Sequence, residues 1–147
     1  MNKRSTYRWG FTSCLVVLVM TGFVFGAGSP AFGAEKVKEV KIGNILPLSG
    51  PSASVGIQNK NAIEMATELI NKSGGIKALG GAKLVNIFTD SKGDPNVGVT
   101  AAEQLVNTDK VSLISGAWNS AVTLPSTQVA ERYQVPYVVP VSVNDTI

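Results

Sequence analysis

The stretch NILPLSGPSASVGIQNKNAIE, Asn44 to Glu64, decides how this chain is read. An apolar run ends in Pro47-Leu48-Ser49-Gly50-Pro51, a loop of small and kinked residues, and a helix-patterned segment follows. Proline pre-sets φ and glycine tolerates positive φ, so turn chemistry by itself accounts for the shape of such a loop. Its lack of bulky or charged groups has a second use, since it lets another group come close to the backbone.

Outward from that stretch the pattern alternates. Val37 to Leu46 reads as a strand, with Val40 and Ile42 leading to an apolar end. Gln58 to Lys72 places Ile63, Ala66, Leu69 and Ile70 at helical spacing, and Gly74-Gly75 supply the left-handed positions that close a helix. Lys83 to Thr89 is a second strand. Asp94-Pro95 then offers a cap followed by proline at the first helical position, with Ala101, Ala102, Leu105 and Val106 on the buried side of the helix. Val111 to Ser115 is a third strand. Asn119 or Ser120 caps a third helix, Ala121 to Tyr133, with Pro125 placed near its first turn. Val135 to Val141, flanked by prolines, is a short fourth strand. Strands and helices in strict alternation predict α/β architecture, a doubly wound parallel sheet of flavodoxin-like type. The sequence stops soon after the fourth strand. With both faces of a parallel sheet needing cover, the expectation is the front portion of a longer protein.

The first 33 residues read differently. Lys3, Arg4 and Arg8 precede the uncharged run Phe11 to Ala27, and small residues follow to Ala31-Phe32-Gly33-Ala34. A basic start, an apolar centre and a small-x-small site describe a secretory signal peptide, cleaved after Gly33. The apolar run is only at the lower limit of a membrane span, roughly 17–25 residues, and Gly22 and Gly26 break it. Domain organisation is therefore expected as residues 1–33 leader and residues 34–147 one incomplete lobe. Losing Lys3, Arg4 and Arg8 from 13 basic residues leaves 10 against 10 acidic ones, so the mature chain is neutral. The basic character belongs to the leader and is no argument for nucleic acid as a partner. The one cysteine, Cys14, lies there too.

The chain contains no histidine, which excludes Ser-His-Asp and Cys-His catalysis and every histidine-ligated metal site within it. Neither nucleotide-binding glycine fingerprint occurs, so no cofactor is expected. Asp90 stands at the end of the second strand without companion carboxylates at neighbouring strand ends, and it reads, like Asp94, as a turn or capping residue. No catalytic set emerges. What remains is the edge formed by the carboxyl ends of the strands, where open α/β sheets bind ligands. Three loops lie there, Pro47 to Gly56, Gly116 to Ser120 (GAWNS) and Ser142 to Asn144, all rich in hydroxyl, amide or glycine positions. Such residues also make ordinary turns and caps. Trp118 either packs over a ligand or plugs its own loop.

The ordered set KIGNILPLSGPSASVG, INKSGGI, LVNIFTDSKGDP, AAEQLV, VSLISGAWNS and VPYVVPVSVN resembles the N-terminal lobe of type I periplasmic solute-binding proteins, the branched-chain amino acid class that serves ABC importers. The resemblance covers residues 38–147. It implies an extracytoplasmic, non-enzymatic protein that traps a small amino acid or related carboxylate between two lobes and delivers it to a permease in the inner membrane. A sensor domain of the same fold is the alternative. Carried over by position, it implies ligand contacts at Ser49, Gly50 and Val55, at Trp118, Asn119 and Ser120, and at Ser142 and Val143. Val55 stands where amino-acid binders often have an aromatic, and Val143 lies near a position often held by threonine, which leaves the ligand open among amino acids, other small carboxylates and aromatic acids. It also implies that this lobe, holding half a site, binds weakly alone.

Overall fold

A computed structural model describes residues 37–145 and 147. The expected leader lies outside the described residues, as does all but the last part of the segment before the first strand. Strand β1 (Glu39–Leu46) is followed by helix α1 (Ala53–Lys72), β2 (Lys83–Asp90), α2 (Pro95–Asn107), β3 (Leu113–Gly116), α3 (Ser120–Arg132) and a two-residue β4 (Tyr137–Val138). All pairings are parallel and the strand order is β2-β1-β3-β4. The alternation read from the sequence is therefore present, as a four-stranded sheet wound on both faces.

Strand β1 lies in the middle. It pairs with β2 along its whole length, Glu39 with Lys83 through Leu46 with Asp90, and with β3 from Ile42–Leu113 to Ile45–Gly116. Alternate residues point to opposite faces. Ile45 and Ile114 point to the face covered by α2 and α3, where Ala102, Leu105, Val122, Val129 and Ala130 close a fully buried core. The four apolar positions expected on α2 are all buried there. Two glycines let the layers approach. A Cβ on Gly43 would lie 2.8 Å from the Leu105 side chain, and one on Gly98 would lie 2.4 Å from Cγ1 of Val122.

The other face is more polar. Asn44, 2 % exposed, donates to Oδ1 of Asn86 at 3.1 Å, and Asn86 in turn donates to the Thr67 hydroxyl of α1 at 2.6 Å. A buried amide is tolerable when it is bonded in this way. Asn71 of α1 grips the outer edge of β2, accepting from Leu84 N and donating to Leu84 O, both at 2.9 Å. An edge strand that would otherwise offer unpaired groups is thereby partly covered.

Four details depart from the sequence reading. Helix α1 starts at Ala53 rather than Gln58, so Val55 and Gly56 belong to its first turns and not to a loop. Of its apolar row only Ile63 is half-buried, whereas Leu69 is 63 % exposed and Ile70 and Ala66 are also exposed. The cause is lateral placement. Helix α1 sits against β2 and β1, and an apolar groove bordered by Ile63, Ala66, Leu113 and Val138 remains open beside it. Pro125 falls in the second turn of α3, where its missing N–H leaves Ala121 O without a helical donor. Ala121 is exposed, so water can serve that carbonyl. The fourth strand shrinks from seven residues to Tyr137–Val138 because Pro136 and Pro140 bracket it and lack the ladder donor.

Elsewhere the local chemistry follows the residues. Asp94 Oδ1 caps α2, accepting from Asn96 N at 2.8 Å and Val97 N at 3.1 Å. Gly74 and Gly75 close α1 at φ 103° and 75°, with Gly75 N reaching Ile70 O at 2.9 Å, the six-to-one bond of a Schellman motif. Val122 is β-branched and fully buried, with little freedom to retreat from a new side chain at Gly98. Gly98→Val is expected to lower stability by about 1–3 kcal/mol through overpacking. A urea titration that left the unfolding midpoint unchanged would show that α2 and α3 are not in close contact there.

Candidate functional site

The strand order places the expected loops. The crossover from β1 through α1 leads outward to β2, and the crossover from β2 through α2 returns past β1 to β3 on the opposite face. The chain therefore leaves the carboxyl ends of β1 and β3 in opposite directions, and a crevice opens between them. Such a switch point is the ligand-binding position of open α/β sheets. Ser49 and Gly50 lie on one side of it; Trp118, Asn119, Ser120 and, beyond β4, Ser142 and Val143 lie on the other.

Backbone approaches explain why both loops are built from small residues. A Cβ on Gly56 would sit 1.9 Å from Pro47 O, so the first turns of α1 press directly on the fully buried Pro47. A Cβ on Gly116, at φ 138°, would sit 2.3 Å from Ile45 O, where β3 turns away from β1. The group that comes close to these glycines is the chain itself. Gly50, exposed and at φ 79°, is the turn position of the first loop.

The first loop is held from β2. Asp90 Oδ1 accepts from Leu48 N at 2.8 Å, Ser49 N at 3.2 Å and Lys92 N at 2.8 Å, and Oδ2 accepts the Ser49 hydroxyl at 2.6 Å. The bond to Lys92 is the turn role expected for Asp90. The three bonds to Leu48 and Ser49 reach a different strand end and correct that reading, because sequence spacing carries no sign of a partner 42 positions away. Burial pushes the Asp90 carboxyl up, but the bonds from Ser49, Lys92 and Leu48 outweigh it and hold the acid below its usual 3.8.

The second group centres on the start of α3. Asn119 is the cap: its side-chain oxygen accepts from Ala121 N at 3.0 Å, and its carbonyl accepts from Val122 N and Thr123 N. Ser120, beside it, accepts the N–H of Val143 at 3.3 Å, and among the described residues its own hydroxyl proton meets no acceptor. Ser142 differs. Its hydroxyl donates to Ala117 O at 2.7 Å and lies 2.5 Å from the buried Thr123 hydroxyl, which itself reaches Ala117 O at 2.6 Å. Its proton is spent inside the protein, tying the segment after β4 to α3. Thr123 was not among the residues the sequence singled out; as one hydroxyl among many on α3, it gave no signal. Trp118 is 37 % exposed, Val143 is 92 % exposed, and Val55 is half-buried on α1. The structure thus joins Ser120, Ser142 and Val143 in one cluster and ties Ser49 to Asp90 in another.

A small parallel sheet whose switch point is bordered by polar loops, and with no group of three or more acidic, cysteine or histidine residues placed to hold a metal ion among the described residues, suits a ligand-binding lobe. The periplasmic binding protein family model matches residues 39–147, and the chain belongs to that family. It is 39 % identical over 114 residues to Leu/Ile/Val-binding protein homolog 3 of Brucella melitensis, an alignment covering 78 % of this chain and 30 % of that one. The structure is similar to the branched-chain amino acid substrate-binding protein LivJ of Streptococcus pneumoniae, solved with isoleucine (TM-score 0.69, 28 % identity, 74 % of this chain and 30 % of that one). It is also similar to a solute-binding protein of an ABC transporter from Rhodopseudomonas palustris solved with 3,4-dihydroxybenzoic acid (TM-score 0.61, 30 % identity, 69 % of this chain and 27 % of that one). The chain thus spans about 30 % of the length of the relatives it matches. The family and fold expected from the residues are borne out.

Asp90 has a pH signature. A carboxyl whose folded pKa is depressed stabilises the fold above its unfolded pKa, and that contribution disappears as pH falls through the folded value. Asp90→Asn is expected to lower the urea midpoint at pH 7, and the gap to the wild type is expected to close as pH drops below 3.8. A gap that stayed constant from pH 7 to pH 2.5 would mean the carboxylate charge does not hold the loop.

Proposed function

We propose that this chain is the first lobe of an extracytoplasmic solute-binding protein of an ABC importer. A small amino acid of the branched-chain type would be captured against the switch-point crevice, enclosed by a second lobe and handed to a permease in the inner membrane, after export directed by the leader in residues 1–33. The observation that carries this reading is Ser120. It stands at the first position of a 13-residue helix, and among the described residues its hydroxyl proton meets no acceptor. A helix N-terminus with a free hydroxyl donor suits a ligand carboxylate without any arginine. The family membership, the isoleucine held by the similar LivJ and the name of the Brucella relative support the amino-acid class.

One observation favours a second ligand class. Trp118, two residues before Ser120, is 37 % exposed, and an indole can stack on an aromatic ring. An aromatic acid would place its carboxylate at the same helix start and its ring on Trp118, which agrees with the 3,4-dihydroxybenzoic acid held by the similar Rhodopseudomonas protein. Both classes share the carboxylate contact at Ser120.

Half a crevice leaves a ligand open to water on one side, so this chain alone is expected to bind isoleucine with a Kd of about 1 mM or weaker. Amide chemical-shift titration is expected to move Ser120, Trp118 and Val143, and Ser120→Ala is expected to abolish those shifts. Calorimetry giving a micromolar Kd for an amino acid, or shifts confined to surfaces away from the crevice, would overturn the assignment.

A further inference from the structure

Residues 141–143 lie outside every helix and strand. Among the described residues, the hydrogen bonds that tie them to the rest of the lobe come from the Ser142 hydroxyl and from Val143 N. Val141 and Val143 are both exposed, so apolar packing adds little. A segment held this thinly keeps one conformation only while those few bonds last. All of them run to the start of α3 and the residues just before it. Ser142 Oγ lies 2.7 Å from Ala117 O and 2.5 Å from Oγ1 of Thr123, and Val143 N reaches Ser120 Oγ.

Thr123 is the centre of that arrangement. It is fully buried, and its Oγ1 lies 2.6 Å from Ala117 O and 3.1 Å from Asn119 O, the carbonyls on either side of Trp118. Each hydroxyl has one proton to give. At 2.5 Å one of the two protons lies between Thr123 and Ser142, and the other goes to Ala117 O. Either hydroxyl can be the one that reaches the carbonyl, and in both arrangements the pair acts as one chain. The Tyr137 hydroxyl of β4 bonds Ser126, further along α3, at 3.0 Å, so strand and segment dock on the same helix. We propose that Thr123 is a positioning residue for the candidate site. Through Ser142 it makes the loop after β3, Gly116 to Ser120, and the segment after β4, Ser142 to Val143, one unit that a ligand meets already in place. Ordering loops on binding costs affinity, and a preformed site avoids that cost. The inference rests on the reading that ligand binds at these two segments, and it adds a buried residue that acts through its neighbours.

Backbone amide relaxation without ligand tests the unit, and isoleucine titration followed by amide shifts tests its consequence. Thr123→Val keeps the shape of the side chain and removes the hydroxyl. Order parameters of Trp118, Asn119 and Val143 are expected to fall together in that variant, and isoleucine affinity is expected to weaken about fivefold. Thr123→Ser keeps the hydroxyl and is expected to match the wild type in both. Val129→Ala opens a cavity in the same helix, so it is expected to lower the unfolding midpoint and leave both readouts unchanged, which separates positioning from a general loss of stability. Ser142→Ala removes the other hydroxyl of the pair and is expected to loosen Val143 in the same way, so the result does not hang on Thr123→Val folding. Wild-type order at Val143 in either hydroxyl variant, or wild-type isoleucine affinity in Thr123→Val, overturns the proposal and leaves the site assignment standing. Should isoleucine move neither segment in the wild type, the site assignment fails and this proposal with it.

Discussion

Everything at the candidate site hangs on the parallel pairing of β1 with two neighbours at once. Because β1 lies between β2 and β3, the chain must cross it from β2 to β3, and the two crossovers take opposite faces of the sheet. Parallel pairing puts all the carboxyl ends on one edge. The crevice is the geometric result of those two facts, before any particular side chain is placed in it. The ladder itself is continuous from Glu39–Lys83 to Leu46–Asp90, so the end of β2 stands level with the start of the first loop. That register brings the Asp90 carboxyl within reach of Leu48 and Ser49.

The sheet is unequal on its two faces. On one, Leu105, Ile114, Val122 and Val129 are fully or almost fully buried and interlock through the glycine contacts at Gly43 and Gly98. Burial of side chains of this size stabilises by about 1.5–3 kcal/mol each, so this face supplies most of the cohesion. On the other, α1 is held by directional bonds, Asn44 to Asn86 to Thr67 and Asn71 to Leu84, while Met65 and Leu69 of α1 remain exposed. Hydrogen-bonded amides fix where α1 sits even where apolar packing is thin.

The loops were legible as small and polar, and the helix caps at Asp94 and Asn119 were legible from residue type. What each hydroxyl does was not. Ser49, Ser120 and Ser142 look alike as letters, yet one gives its proton to Asp90, one accepts from Val143 N, and one spends its proton on Ala117 O. The partners are 41, 23 and 25 positions away, and no local pattern encodes them. For the same reason Thr123 and the long-range bonds of Asp90 went unread, and Val55 was placed in a loop although one more helical turn continues through it.

The sequence by itself determined the class of the fold. Periods of two and of 3.6, with glycine and proline at the breaks, are local properties, and they set strand, helix, strand in an order that only a parallel α/β sheet accommodates. It also determined that histidine chemistry is absent, since composition needs no structure. Only the tertiary structure decided which strand is central, where the switch point opens, how much of α1 is covered, and which partner each hydroxyl takes. Those depend on contacts between segments far apart in the chain, and a hydrogen bond has a direction only once both of its partners have been brought together.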